Sequence, residues 1–274
     1  MFVKYVLKIF KEKTRELFRV FPKINFIYIL CQKYVDDYKG EHNSNMFTNG
    51  ELRFLKRNIE KFDVVFDVGA RIGEWTKMAL LLKSGLNIHC FEPSNLTYRK
   101  LISNKFSDNV ICNNFGLSSF KKEAKLYVIE DESGCNSLYR RQGLEDVNDS
   151  DVQKKEEIVQ LDTLDNYCLK KEIKNIDFVK IDVEGHELEV LKGMSNMLAE
   201  KKIKIIQLEY GGTFIDANIL LKDIFIFFKK YNYKIYQIYP KKVKLIERYL
   251  QTLDNFRYKN FLAIKNGLDF YEKF

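Results

Sequence analysis

The sequence predicts an α/β fold, a doubly wound and mostly parallel sheet of seven strands preceded by N-terminal helices. Short apolar runs, Val64-Val65-Phe66 first among them, alternate with stretches whose apolar residues recur at helical spacing. That alternation belongs to strands covered on both faces by crossover helices. Glycines follow the first run at Gly69 and Gly73, where such folds turn from a strand into a helix. A chain of 274 residues with 46% apolar and 14% aromatic content has material for one sizeable core, which excludes a disordered chain.

Residues 1–39 read as helical, with Phe2, Val6, Ile9 and Phe10 on one face and Lys4, Lys8, Lys11 and Lys13 around the rest. A second helical run lies near 26–38. A basic amphipathic helix packs on its own core, packs on a second subunit to make a homodimer, or lies on a membrane surface with its lysines at anionic headgroups. The Asn-, Ser- and Gly-rich loop 40–50 marks a boundary between an N-terminal helical segment, 1–50, and a main domain, 51–274. Strands are expected at 63–68, 87–91, 110–114, 178–181, 203–209, 234–239 and 261–264. Helices are expected at 74–83, 96–104, 164–170, 188–199 and 219–231. Between 121 and 160 the alternation lapses into a strand-like 124–129 and a polar, acidic stretch, 131–157, an insertion of the length that functional loops have.

The charge balance is 46 Lys+Arg against 38 Asp+Glu, or +8. It suits an anionic partner of any class, or lysine serving only as a solvating residue. The five cysteines are scattered with no C-x-x-C pair, which argues against a disulfide framework and a zinc finger. No apolar run reaches the ~18 residues of a membrane span, and Lys4 and Lys8 interrupt the place of a signal-peptide core. The expected compartment is the cytoplasm, with peripheral contact at the inner membrane face through the N-terminal helices.

In the turn after the first strand, Asp67-Val68-Gly69-Ala70-Arg71-Ile72-Gly73-Glu74, the glycines allow a ligand to approach the backbone. A dinucleotide site would want G-x-G-x-x-G, but counting from Gly69 its second and third glycines are replaced by Arg71 and Glu74, and a carboxylate there would repel a pyrophosphate. Asp67 instead suits a cofactor carrying positive charge and an amine, S-adenosylmethionine. The second strand ends in Glu92-Pro93, where an acidic side chain can accept both ribose hydroxyls. Asn114, at the end of the third strand, completes the candidate cofactor-binding set with Asp67, Gly69, Arg71, Gly73, Glu92, Pro93 and Asp182.

The most specific stretch is Lys180-Ile181-Asp182-Val183-Glu184-Gly185-His186-Glu187-Leu188, a buried strand turning into an amphipathic helix. With Asp67 to Gly73, Phe91-Glu92-Pro93, Leu161 to Asp165, Ile206 to Thr213 and Asn260 to Ile264, this run closely resembles the FkbM-like family of S-adenosylmethionine-dependent methyltransferases. The resemblance covers roughly residues 64–265. It implies a Rossmann-like, seven-strand methyltransferase sheet with a reversed hairpin at its edge. It also implies methyl transfer to oxygen on a sugar hydroxyl, within a glycan or polysaccharide or on a nucleotide-linked precursor. Arg71 departs from the neutral Asn common in the family, a departure the site is expected to tolerate, though it could face an anionic substrate.

An alcohol needs a base or a metal to become a good nucleophile. His186 is the first candidate base because an imidazole titrates near neutral pH, Asp182 is the second, and Lys180 stands with them as a candidate catalytic residue. Asp182, Glu184 and Glu209 could alternatively converge on Mg²⁺ or Mn²⁺, or hold the cofactor amine and substrate hydroxyls. The fourth-strand site lacks the proline pair typical of enzymes that methylate base amines, so no specific nucleic acid is expected. Tyr210, Thr213 and residues 231–239 could stack on a sugar face, and acceptor contacts are expected in 131–157 and after Glu209. Two other classes remain open, a dinucleotide-dependent oxidoreductase and a basic nucleic-acid-binding protein. Because the cofactor edge is acidic, the basic excess is expected in the N-terminal helices and in 229–248.

Overall fold

Alternation of apolar side chains along the strands builds one core on each face of a central sheet. The computed structural model describes residues 2–20, 23–128, 134, 136–142 and 155–270. The chain divides into two units, Met1–Lys39 and Gly40–Phe274, so the loop that the sequence assigns to the N-terminal segment belongs to the larger unit. The smaller unit contains α1 (Phe2–Val20) and α2 (Asn25–Lys39).

The larger unit begins with α3 (Glu51–Asn58), then alternates β1 (Val64–Val68), α4 (Glu74–Leu82), β2 (Asn87–Phe91), α5 (Asn95–Ser103) and β3 (Val110–Asn113). A small second sheet follows from β4 (Gly116–Leu117), β5 (Lys122–Val128) and β6 (Lys155–Asp162). The main sheet resumes with α6 (Leu164–Lys170), β7 (Ile176–Ile181), α7 (Glu187–Lys192), α8 (Ser195–Ala199) and β8 (Ile203–Tyr210). It closes with α9 (Thr213–Asp216), α10 (Leu221–Lys230), β9 (Tyr233–Tyr239), β10 (Lys242–Leu245) and β11 (Lys259–Lys265).

The main sheet runs β10-β9-β11-β8-β7-β1-β2-β3. Its seven expected strands are present, and β10 adds an eighth at the edge by pairing antiparallel with β9. Reversal of the chain also places β11 antiparallel between β8 and β9. The expected helix 188–199 is two short ones, divided at Gly193–Met194, and at Gly193 a Cβ would lie 2.0 Å from the Ser118 carbonyl oxygen. The expected 131–157 loop gives its last residues to β6, which pairs antiparallel with β5; residues 129–133, 135 and 143–154 lie outside those described.

Val65 and Phe178 face one core, with Phe62 and Trp75 stacked on Phe178 at ring separations of 5.3 and 5.8 Å. Phe66, Val68, Val179 and Ile181 face the other. Each such aromatic, fully buried, contributes roughly 1.5–3 kcal/mol. Ser94 and Thr163 cap α5 and α6 by accepting the Thr97 and Asn166 amides, which fixes where strand ends turn into helices. Since β2 and β3 lie to one side of β1 while β7 and β8 lie to the other, crossover direction reverses between β1 and β7. In an open sheet the crevice at that reversal, at the carboxyl ends of the strands, is where a ligand fits.

Candidate active site

A cavity of about 870 Å³ opens at that place, lined by the ends of β1, β2, β7 and β8. The β1 turn reaches it through a left-handed glycine. Gly69 has φ +83, and a Cβ there would lie 1.8 Å from the Asp182 carbonyl oxygen. The Gly69 and Ala70 amides donate to Phe91 O, and the Asp182 amide donates to Val68 O, so three strand ends are tied at this point.

Asp67 is completely buried in the cavity wall. Its Oδ2 accepts the Thr76 hydroxyl at 2.7 Å, while Oδ1 has no hydrogen-bond partner among the described residues. Burial raises its carboxyl above the usual range, since a desolvated anion is costly unless a cation or donors face it. Glu92 accepts the Arg71 amide on Oε2 and the Ser94 amide on Oε1, both at 3.0 Å. Burial pushes it up to about 7. A carboxylate offers about four lone-pair directions, so each oxygen keeps one for a hydroxyl.

Beside Asp67, on the neighbouring strand β7, the Lys180 ammonium donates to Asp182 Oδ2 at 2.7 Å. Burial alone would lower this lysine, but Asp182, Asp67 and Glu51 outweigh it and hold the ammonium above its usual range. Glu51, from α3, lines the same cavity and accepts the Asn260 amide at 2.9 Å. Asp182, Glu184 and Glu209 bring one carboxylate oxygen each within 4.8 Å of one another. Burial and the neighbouring Asp182 push Glu184 up to about 8 and hold Glu209 well above the carboxylate range. Three oxygens so placed could hold a hard divalent cation completed by water, or face a cationic organic group.

His186 also lines the cavity, but both ring nitrogens are occupied, Nε2 by the Ser118 hydroxyl and Nδ1 by the Tyr139 hydroxyl, each at 3.0 Å. Burial lowers it to about 4. A neutral imidazole with both nitrogens engaged is a poor proton acceptor and a good strut. It anchors a strap, residues 136–142, laid over the turn 183–186 that carries it. Ser137 donates to Glu184 O at 2.7 Å, and Arg141 reaches the Glu184 carboxylate at 3.2 Å and that of Asp216 at 3.0 Å.

The structure thus brings together Asp67, Gly69, Arg71, Glu92, Pro93, Lys180, Asp182, Glu184, His186 and Glu209 around one cavity. Two members of the candidate cofactor set lie outside its lining. The Asn114 amide donates to the Glu92 and Pro93 carbonyls and holds that turn. Gly73, at φ +83, caps α4 where a Cβ would touch Leu101 and Phe106 at 2.9 Å, so it serves packing. Tyr210 is buried against Phe214, Phe256 and Phe261 and is core. Glu51, Tyr258, Ser118, Tyr139 and Arg141 were not foreseen. Tyr139 and Arg141 lie in the insertion and Tyr258 after Glu209, the regions where acceptor contacts are expected, whereas no sequence signal points to Glu51 or Ser118.

The sequence profile of the methyltransferase FkbM domain matches residues 67–235, from the end of β1 into β9. The chain belongs to the FkbM methyltransferase family. This FkbM chain is 31% identical over 191 residues to the hexuronic acid methyltransferase AglP of Haloferax volcanii, covering 69% of the chain and 71% of that relative. Among solved structures, the methyltransferase FkbM of Methylobacillus flagellatus superposes with a TM-score of 0.47 at 14% identity, over 74% of this chain and 43% of that one. The FkbM chain therefore spans less than half of that protein. The fibrillarin of Aeropyrum pernix, solved with natively bound S-adenosyl-L-methionine, gives a TM-score of 0.40 at 8% identity, over 77% and 68%.

Proposed function

We propose that the protein is an S-adenosylmethionine-dependent O-methyltransferase whose acceptor is a sugar hydroxyl on a glycan, polysaccharide or nucleotide-linked precursor, with an anionic acceptor favoured. The observation that carries the reading is Asp67 Oδ1, a buried carboxylate oxygen without a hydrogen-bond partner among the described residues, in the wall of a cavity at the sheet's crossover reversal. Such an oxygen fits an ammonium donor. Membership of the FkbM family supports methyl transfer, and the hexuronic acid relative supports a sugar acceptor.

When bound, S-adenosylmethionine supplies an electrophilic methyl group on a sulfonium. Asp67 would hold its amine, and Glu92 would accept ribose hydroxyls with the lone pairs that the Arg71 and Ser94 amides leave free. The surrounding carboxylates favour a cationic ligand, because in a dry site like charges repel and an added cation relieves several at once. Asp182 takes the proton from the acceptor hydroxyl, and Lys180 fixes the orientation of its carboxylate. His186 is a positioning residue that fastens the 136–142 strap and helps exclude water.

The test is transfer of labelled methyl from S-adenosylmethionine to a panel of uronic acid-bearing glycans, neutral glycans and nucleotide sugars. Label in the carbohydrate fraction, with uronic acid acceptors ahead, is expected. Label in protein or RNA alone would overturn the substrate class.

A further inference from the structure

We infer that α1 docks in the plane of an anionic phospholipid surface. Independently of the cavity's chemistry, its sequence holds six cations, Lys4, Lys8, Lys11, Lys13, Arg15 and Arg19, against Glu12 and Glu16, half of the chain's +8 on one helix. Lys8, Lys11, Arg15 and Arg19 follow one another at three- and four-residue steps and form a single row. Leu7, Phe10, Leu17 and Phe18 form an adjoining apolar face, and all four are exposed, Phe10 at 66% and Phe18 at 74%. Lys11 and Lys13 stand at the two margins of that face, where long lysine stems can lie along apolar surface with their ammonium groups in water.

Thr14 is the hydroxyl on the apolar side, and it donates back to the Phe10 and Lys11 carbonyls at 2.8 and 3.1 Å. The face can therefore enter an acyl boundary without an unsatisfied hydroxyl donor. A row of cations beside an exposed apolar face, on a helix too charged to span a bilayer, matches an interface where anionic headgroups border hydrocarbon. That charge complementarity favours lipid over a second copy of the chain, whose equal cation row would be repelled.

The experiment is sedimentation of the full chain with vesicles of phosphatidylcholine alone or mixed with phosphatidylglycerol. Pelleting with the mixed vesicles only, weakened by salt, is expected. Lys8→Gln, Lys11→Gln and Arg15→Gln should each lower the partition coefficient about fivefold, and the double variant Phe10→Ser/Phe18→Ser should abolish pelleting. All five substitutions alter exposed positions, and an unchanged thermal transition checks folding. A wild-type chain that stays in the supernatant, or one that pellets equally with both vesicle types, would overturn the inference. So would a concentration-dependent dimer, found in place of vesicle binding, that Phe10→Ser/Phe18→Ser dissociates.

Discussion

Replacing Gly69 by alanine tests whether the β1 turn is shaped by the approach of β7. Its φ of +83 is left-handed, which costs a residue with a Cβ about 1–2 kcal/mol. The new Cβ would lie 1.8 Å from the Asp182 carbonyl oxygen, which is backbone and cannot swing aside. Relief requires β1 and β7 to part at their ends and break the 3.0 Å bond from the Asp182 amide to Val68 O, about 0.5–1.5 kcal/mol more. The sum, about 1.5–3.5 kcal/mol, corresponds to a fall in melting temperature of roughly 3–14 °C. Because Asp182 moves with that backbone, S-adenosylmethionine affinity should fall as well. Gly85→Ala is the control, since nothing lies within 4 Å of its Cβ position and its φ is outside the left-handed region. Differential scanning calorimetry and cofactor titration on both variants decide the matter. A Gly69→Ala protein with wild-type melting temperature and affinity would refute the steric reasoning.

Asp182→Asn should lower kcat by 10²–10⁴-fold with folding intact, whereas His186→Gln, which keeps a donor and an acceptor, should retain most turnover and His186→Ala should lose more. Equal, large losses in both histidine variants would return the base to His186. The ligand-free protein should lose stability as pH rises through 7–8. Glu92, Glu187 and Glu184 are raised from 4.5 to about 7, 7 and 8 by burial, so the folded state holds their protons more tightly, and that advantage disappears once pH passes the folded values. Thermal melts from pH 5 to 9 should show the fall, and the stabilisation by S-adenosylmethionine should grow over the same window. Chelation with EDTA should leave turnover unchanged, and loss restored by Mg²⁺ or Mn²⁺ would assign Asp182, Glu184 and Glu209 to a metal.

The strands buried on both faces were legible because burial removes polar residues from them, as in β1 and β7. Strands with a wet side were legible only where apolar residues still alternated, as in β5, and not where charge dominated. β10 alternates Lys242, Val243, Lys244 and Leu245 with only Val243 buried, and β6 begins in exposed Lys155 and Glu156. Helix α3 directly follows a loop of Asn, Ser and Gly and has charged residues at Glu51, Arg53, Lys56 and Arg57, so its buried Leu52, Phe54 and Leu55 gave too short a period to register. Asp67, Glu92, Asp182, Glu184 and Glu209 could be read because each lies at or just beyond the end of a strand that the topology sends to one edge, unlike Glu51 on α3. Which partners they meet could not be read. Tyr139 and Arg141 arrive from the insertion and Tyr258 from the approach to β11, and contacts over such separations leave no spacing in the sequence.

Isothermal titration of S-adenosylmethionine into the wild-type protein and into Asp67→Asn tests the central claim most directly. The account expects saturable one-site binding in the wild type, with protons released as raised carboxylates meet a cation. In Asp67→Asn it expects affinity roughly 10–150-fold weaker, the loss of one charge-assisted hydrogen bond of about 1.5–3 kcal/mol. The ligand-free variant should melt within a few degrees of wild type, because two other carboxylates still face Lys180. No binding by the wild type, or equal affinity in both proteins, would contradict the assignment of the cavity.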